Sequence, residues 1–311
     1  MNLVFMGNPA FAVPALEKLA ASDYQIVAVV SNPPQKMGRG KKIRETAIAI
    51  KAKSMGLDVI QEQDLKSGHF VSKLKELDAD LFVVVAFRIL PTSLITIPKL
   101  GSINLHGSLL PAYRGAAPIQ WALINGEDET GLSTFFIAPK VDTGAVICQD
   151  KLPIHPNDNY GTLSERMGIL GSVILVETIN LIESGSASAI KQNDNHATLA
   201  PKITKDMTII DWSRPARELH NLVRGLTPTP SATTIIKGKR IKIQETRVDN
   251  DDNGSNYLPG EITAIKKSIV SVQTGNGHLL IHRVQLEGKK TMDIGSFMNG
   301  FALNIGDRFG N

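Results

Sequence analysis

From Asn2 to Phe87 the chain alternates short apolar runs with segments of helical periodicity. The runs are NLVFMG (2–7), QIVAVVS (25–31), LDVIQ (57–61) and LFVVVAF (81–87), and between them lie PAFAVPALEKLAAS (9–22), ETAIAIKAKSMG (45–56) and FVSKLKELDAD (70–80). Parallel strands cannot be joined by a tight turn, so each needs a crossover, and a crossover helix covers a face of the sheet. A strand covered on both faces is apolar throughout rather than alternating, and LFVVVAF is such a run. The pattern therefore predicts an α/β fold: a Rossmann-like, mostly parallel sheet with helices on both faces. GSINLHGS (101–108), a helix at APIQWALING (117–126), strands at GLSTFFIA (131–138) and GAVICQDKLPI (144–154), and a long helix from about Thr162 to Ser184 continue it.

Beyond Ser184 the texture changes. SGSASAIKQNDNHATLAPKITKD (184–206) is small and polar without periodicity and reads as a linker. After a short helix at SRPARELHNLVRGL (213–226), short strands with Gly and Asn turns follow at 231–248 and 260–286, the pattern of a small OB-like β-barrel. The expected organisation is a catalytic domain over 1–187, a linker over 188–206 and a C-terminal β-barrel domain over 207–311.

Composition narrows the function. With 311 residues and 42% apolar content, the chain can fill one or two globular cores. MNLVFMGNPA has no basic leader, and no apolar run approaches the roughly 20 residues needed to cross a bilayer, so a cytoplasmic location without membrane contact is expected. The single cysteine, Cys148, precludes an internal disulfide and a cysteine-based zinc site and is expected in the core. Charge is uneven: residues 1–190 hold 17 Lys and Arg against 18 Asp and Glu, and residues 191–311 hold 17 against 12. The basic C-terminal third fits an anionic partner, and it equally fits an ordinary solvated surface.

The chemistry concentrates in GSINLHGSLLPAYRG (101–115). A dinucleotide site is disfavoured, because Gly7-Asn8-Pro9-Ala10-Phe11-Ala12 has one glycine where the fingerprint has three. Asn104 and His106, two residues apart in a strand, share a face at its carboxyl end, where open α/β sheets bind ligands. Asp142, in the loop after another strand, can reach the same edge. An amide donor, an imidazole and a carboxylate suit acyl transfer without a covalent intermediate: donors for charge building on a carbonyl oxygen, and a carboxylate for the attacking amine's proton. The plain alternative is a hydrogen-bonded structural histidine and a turn-forming aspartate. A serine hydrolase at Ser108 is disfavoured by the absence of a G-x-S-x-G elbow.

INLHGSLLPAYRGAAPIQWAL (103–123), with VDTG (141–144) downstream, resembles the signature of the enzymes that transfer a formyl group from 10-formyltetrahydrofolate. The resemblance implies that Asn104, His106 and Asp142 are the catalytic residues. It implies a folate site at AFRILP (86–91), after the histidine and in IAPKVDTG (137–144), formed by Phe87, Arg88, Ile89, Leu90, Ser108, Leu109, Leu110, Pro111, Ala138, Val141, Thr143 and Gly144, with 10-formyltetrahydrofolate as co-substrate and no metal. Within the family, the enzyme acting on glycinamide ribonucleotide has one domain, whereas enzymes acting on nucleotide-linked amino sugars can share a second. The branch acting on methionyl initiator tRNA for translation initiation has both domains and a basic loop after the second strand. SNPPQKMGRGKKIRE (31–45) supplies Lys36, Arg39, Lys41, Lys42 and Arg44, and KITKDMTIIDW (202–212), LVRGLTPTPSA (222–232) and EGKKTM (287–292) also resemble that branch. Cations suited to phosphates follow at Lys237, Lys239, Arg240, Lys289 and Lys290. Formylation of methionyl initiator tRNA by a monomer is therefore expected, with amino-sugar formylation and non-catalytic RNA binding as alternatives.

Overall fold

The computed structural model describes residues 1–37, 42–249 and 257–310. They divide into two compact units, one formed by 1–118, 129–153 and 164–200, the other by 119–128, 154–163 and 201–311.

In the first unit, β1 (Asn2–Gly7) leads through a short 3-10 turn into α1 (Val13–Ala20), with Pro14 in the first turn, where its missing N–H costs nothing. β2 (Gln25–Ser31) follows. The segment read as a basic loop carries two three-residue strands, β3 (Gln35–Met37) and β4 (Lys42–Arg44), paired antiparallel. Such short strands give no periodicity to read. α2 (Ala47–Ser54) starts two residues later than the pattern suggests, because the Thr46 hydroxyl caps it by accepting from Ala49 N at 3.0 Å. β5 (Val59–Gln61), α3 (Gly68–Glu76), β6 (Leu81–Val85) and a one-turn α4 (Thr92–Ile95) lead to β7 (Ser102–His106). Then come α5 (Pro118–Ile124), which from Ile119 on is counted with the second unit, β8 (Glu129–Phe136), β9 (Val146–Pro153) and α6 (Tyr160–Glu183), which belongs to the first unit from Ser164 on.

The sheet order is β5-β2-β1-β6-β7-β8-β9, parallel through β7, with β8 antiparallel to both β7 and β9. The chain winds outward from β1 to β5 and returns on the other side of β1, so the order reverses between β1 and β6. Ligands bind above the carboxyl ends of strands beside such a reversal. Face alternation aims β7. Leu105 packs against Gly171 of α6 so closely that a methyl there would lie 2.7 Å from it. Asn104 and His106 therefore project from the opposite face, where Asn104 is in register with Val84 of β6.

Residues 188–206 do not behave as one linker. Ile190 bridges to Val146 and Leu199 to Arg114, which binds the stretch through Ala200 to the first unit. Cys148 is half-buried in β9 rather than in the core, because that strand lies at the edge of the sheet.

In the second unit, α7 (Ala216–Leu226) buries Leu219, Leu222, Val223 and Leu226, an i, i+3, i+4, i+7 stripe. The strands β10 (Ala232–Ile236), β11 (Lys239–Asp249), β12 (Ile262–Lys266), β13 (Ile269–Gln273), β14 (His278–Leu286) and β15 (Met292–Asp293) form an antiparallel sheet, followed by α8 (Ile294–Met298). One core joins side chains of β10 to β14 with α7 and α8. The ladder runs β10-β11-β14-β13-β12, and among the described residues no pairing joins β10 to β12, so hydrogen bonds do not close the expected barrel. Bulges around Glu245 strengthen the twist of β11 and let an open sheet share one core.

His220 of α7, bonded through Nδ1 to Thr246 Oγ1 at 2.9 Å, is pushed down to about 4 by burial and by neighbouring Arg224 and Arg217. The folded unit holds it neutral where the unfolded chain protonates it, so its stability contribution is intact above the ordinary histidine value of about 6.5 and is lost as pH falls toward about 4. The loss is at most about 3 kcal/mol, and less because the ring is partly solvated. Thermal unfolding at pH 7.5 and pH 5 is expected to show it, and His220→Gln to flatten the slope; an unchanged slope in the variant would contradict this.

Candidate active site

At the carboxyl edge of β7, His106 is 6% exposed, and Asn104 is partly exposed with none of the side-chain hydrogen bonds among the described residues engaging its amide. The Asn104 amide is thus unspent. His106 Nε2 lies 2.9 Å from the carbonyl oxygen of Tyr113, which can only accept, so Nε2–H donates to it. Its Nδ1 lies 3.8 Å from Asp142 Oδ2, beyond direct hydrogen-bond length. With Nε2 bonded to Tyr113, Nδ1 is the ring nitrogen left facing Asp142.

Asp142 sits in the left-handed region at φ 52°, tolerated by aspartate better than by most side chains. Its Oδ2 accepts from Gly115 N at 2.8 Å. Its own carbonyl and that of Gly144 accept from Gln192 Nε2 at 2.9 and 2.8 Å. Gln192 Oε1 in turn accepts from Arg114 Nε at 3.0 Å and Nη2 at 2.8 Å, and Arg114 Nη2 also pairs with Asp194 at 2.8 Å. Three consecutive residues therefore hold the site: the Tyr113 carbonyl fixes His106, the Arg114 guanidinium fixes Gln192, and the Gly115 amide fixes Asp142. Gly115, at φ 127°, approaches Ala200 so closely that a methyl would lie 2.6 Å from its carbonyl oxygen. Sequence reasoning singled out neither Arg114 nor Gln192. The arginine stood in the informative stretch, but its partner lay in the supposed linker.

The residues expected at folate are placed unequally. Ile89 is 73% and Val141 46% exposed, apolar side chains available to a flat ring. Phe87, Ala138 and Thr143 are half-buried, with the Thr143 hydroxyl donating to the Lys140 carbonyl at 2.9 Å. Leu90 belongs to the core. Arg88 spends its guanidinium on the carbonyls of Glu62 and Gln63, at 2.5 and 2.7 Å, and lies over the Phe87 ring. Ser108 donates to the Ala112 carbonyl at 2.6 Å, Leu109 packs over Gly131, and Leu110 is buried beside half-buried Pro111. Ser108 and Arg88 thus shape the loops. Among the described residues, no group of three His, Cys, Asp or Glu could hold a metal ion.

Of the basic residues, Lys36 on β3 and Lys42 and Arg44 on β4 are exposed, and Arg39 and Lys41 lie outside the described residues. Lys237 is neutralised by Asp307 at 2.8 Å. Exposed Lys239 and Arg240 open β11, and exposed Lys289 and Lys290 follow β14; because Ile241 pairs with Leu286, all four lie at the same end of that ladder.

The first unit is a mostly parallel sheet with an asparagine, a histidine and an aspartate gathered at its carboxyl edge, the architecture of an α/β enzyme. Residues 1–179 match the formyl transferase family and 202–302 the formyl transferase C-terminal domain. The chain is 42% identical to the methionyl-tRNA formyltransferase of Porphyromonas gingivalis strain W83, over 98% of this chain and 97% of that one, and 40% identical to that of Agathobacter rectalis, over 99% of each. It belongs to the formyl transferase family, in the methionyl-tRNA formyltransferase branch. A sugar 3N-formyltransferase, WlaRD, shares the fold with a TM-score of 0.67 at 21% identity, covering 93% of this chain and 99% of that one.

Proposed function

We propose that this protein transfers the formyl group of 10-formyltetrahydrofolate to the amino group of methionyl initiator tRNA. The grouping of Asn104, His106 and Asp142 within a chain similar over almost its whole length to methionyl-tRNA formyltransferases carries the reading. The methionyl nitrogen attacks the formyl carbon; the new C–N bond forms as the bond from that carbon to folate N10 breaks. Charge building on the formyl oxygen meets the Asn104 amide and His106 Nδ1–H, an arrangement in which loss of one donor typically costs ~10² to 10³ in rate. Asp142 orients the imidazole and takes the amine's proton through a bound water, which passes it to N10.

In this role the protein works in the cytoplasm as a monomer. The folate lies against 86–91, 108–111 and 137–144. The β3–β4 segment holds the acceptor end, while the β11–β14 cations hold the tRNA backbone, with Lys237 a weaker contributor because of its ion pair. Replacing Arg39, Lys41 and Lys42 together is expected to weaken tRNA formylation and flatten its salt dependence, since each phosphate that goes without its cation takes about one unit from the slope. Steady-state formylation of methionyl-tRNA from 50 to 200 mM salt measures this. An unchanged slope would remove the segment from the tRNA site.

A further inference from the structure

We infer that Gln192 is a positioning residue for the transfer, acting through Asp142. The inference rests on the reading of Asp142 as catalytic. Gln192 is 9% exposed and comes from a polar stretch held to the first unit on both sides, by Ile190 on Val146 and by Leu199 on Arg114. Its amide joins the 142–144 loop to Arg114, beside the bond from Gly115 N to Asp142 Oδ2. On one side Nε2 donates to the carbonyls of Asp142 and Gly144; on the other Oε1 accepts twice from Arg114. The guanidinium offers only donors and the two carbonyls only accept, so the amide can sit one way round.

Asp142 is held left-handed, a conformation that its side chain alone does not enforce. Its carboxylate reaches Gly115 N and faces His106 only while the 142–144 backbone keeps this turn. Gln192 grips that backbone immediately on either side of Thr143. The 113–115 stretch then fixes both ends of the aspartate: the side chain through the Gly115 amide, the main chain through Arg114 and Gln192. A displacement of about 1 Å at a reacting group is enough to cost about 10²-fold in rate.

Gln192→Glu isolates the donor. It keeps the side-chain length and the acceptor facing Arg114, and sets a carboxylate oxygen against two carbonyls. Gln192→Met keeps the volume and removes the amide, and serves if the glutamate variant does not fold. We expect either to lower kcat for methionyl-tRNA formylation 10- to 100-fold with KM for the tRNA unchanged. In an Asp142→Ala background the same change should cost less than about twofold, because the group through which Gln192 acts is gone. A purely structural glutamine would instead lower the thermal midpoint and multiply with the Asp142 loss. Unchanged kcat in the Gln192 variants, or losses that multiply, would overturn the inference while leaving the catalytic assignment intact. Near-normal turnover in Asp142→Ala alone would instead overturn the assignment on which it rests.

Discussion

His106→Ala is expected to lower kcat for formyl transfer by at least about 10²-fold while the protein remains folded and its KM for the tRNA stays close to that of the parent. The reasoning is geometric. Tyr113 occupies one ring nitrogen, and the other faces a carboxylate too distant for a direct bond, which in the proposed function leaves that nitrogen to meet the formyl oxygen. Alanine removes that ring and leaves the exposed cations of β4 and of the β11–β14 ladder untouched. Circular dichroism and thermal unfolding check the fold, since the buried imidazole also packs edge-on against Phe135. Turnover near the parent's would exclude His106 from the chemistry.

Gly144→Ala is expected to disable the site by a different route. A methyl on Gly144 would overlap the carbonyl oxygen of Phe136 and press on the Phe135 ring. The first is backbone, so relief requires the end of β8 or the aspartate loop to move. Phe136 N also bonds to Ala145 O at 3.0 Å, and Gly144 O accepts from Gln192, so either movement breaks a bond that shapes the Asp142 turn. A forced backbone shift of this kind costs about 1–3 kcal/mol. We expect a thermal midpoint lower by several degrees and kcat reduced at least 10-fold, read by calorimetry and steady-state kinetics. Parent-like values in both would mean that the loop has room the structure does not show.

The two predictions divide what the sequence made legible from what it hid. LFVVVAF and its neighbours announced a parallel sheet because double-sided burial leaves an uninterrupted apolar run, and the strand period put Asn104 and His106 on one face. Face alternation is a local rule, and the structure follows it at Leu105. Gln192 obeys no local rule. It sits in a small, polar, aperiodic stretch whose order comes from Arg114 and Val146, many residues away, so composition described it as a linker. The left-handed turns at Tyr113 and Asp142 were equally hidden, because neither residue is glycine and their conformations are imposed by tertiary hydrogen bonds. β3 and β4 escaped for another reason: three residues each cannot display a period. In the second unit the short strands were readable from their turns, whereas closure of the sheet depends on pairings between β10 and β12 that no local pattern encodes.

Formyl transfer from 10-formyltetrahydrofolate to charged initiator methionyl-tRNA, with a nucleotide-linked amino sugar as the parallel acceptor, tests the account at its centre. In the proposed function the arrangement of Asn104, His106 and Asp142 would serve either amine, whereas the cations around β4 and at the end of the β11–β14 ladder would serve only the nucleic acid. Transfer to the tRNA and not to the sugar is the predicted result. Transfer to the sugar alone would contradict it.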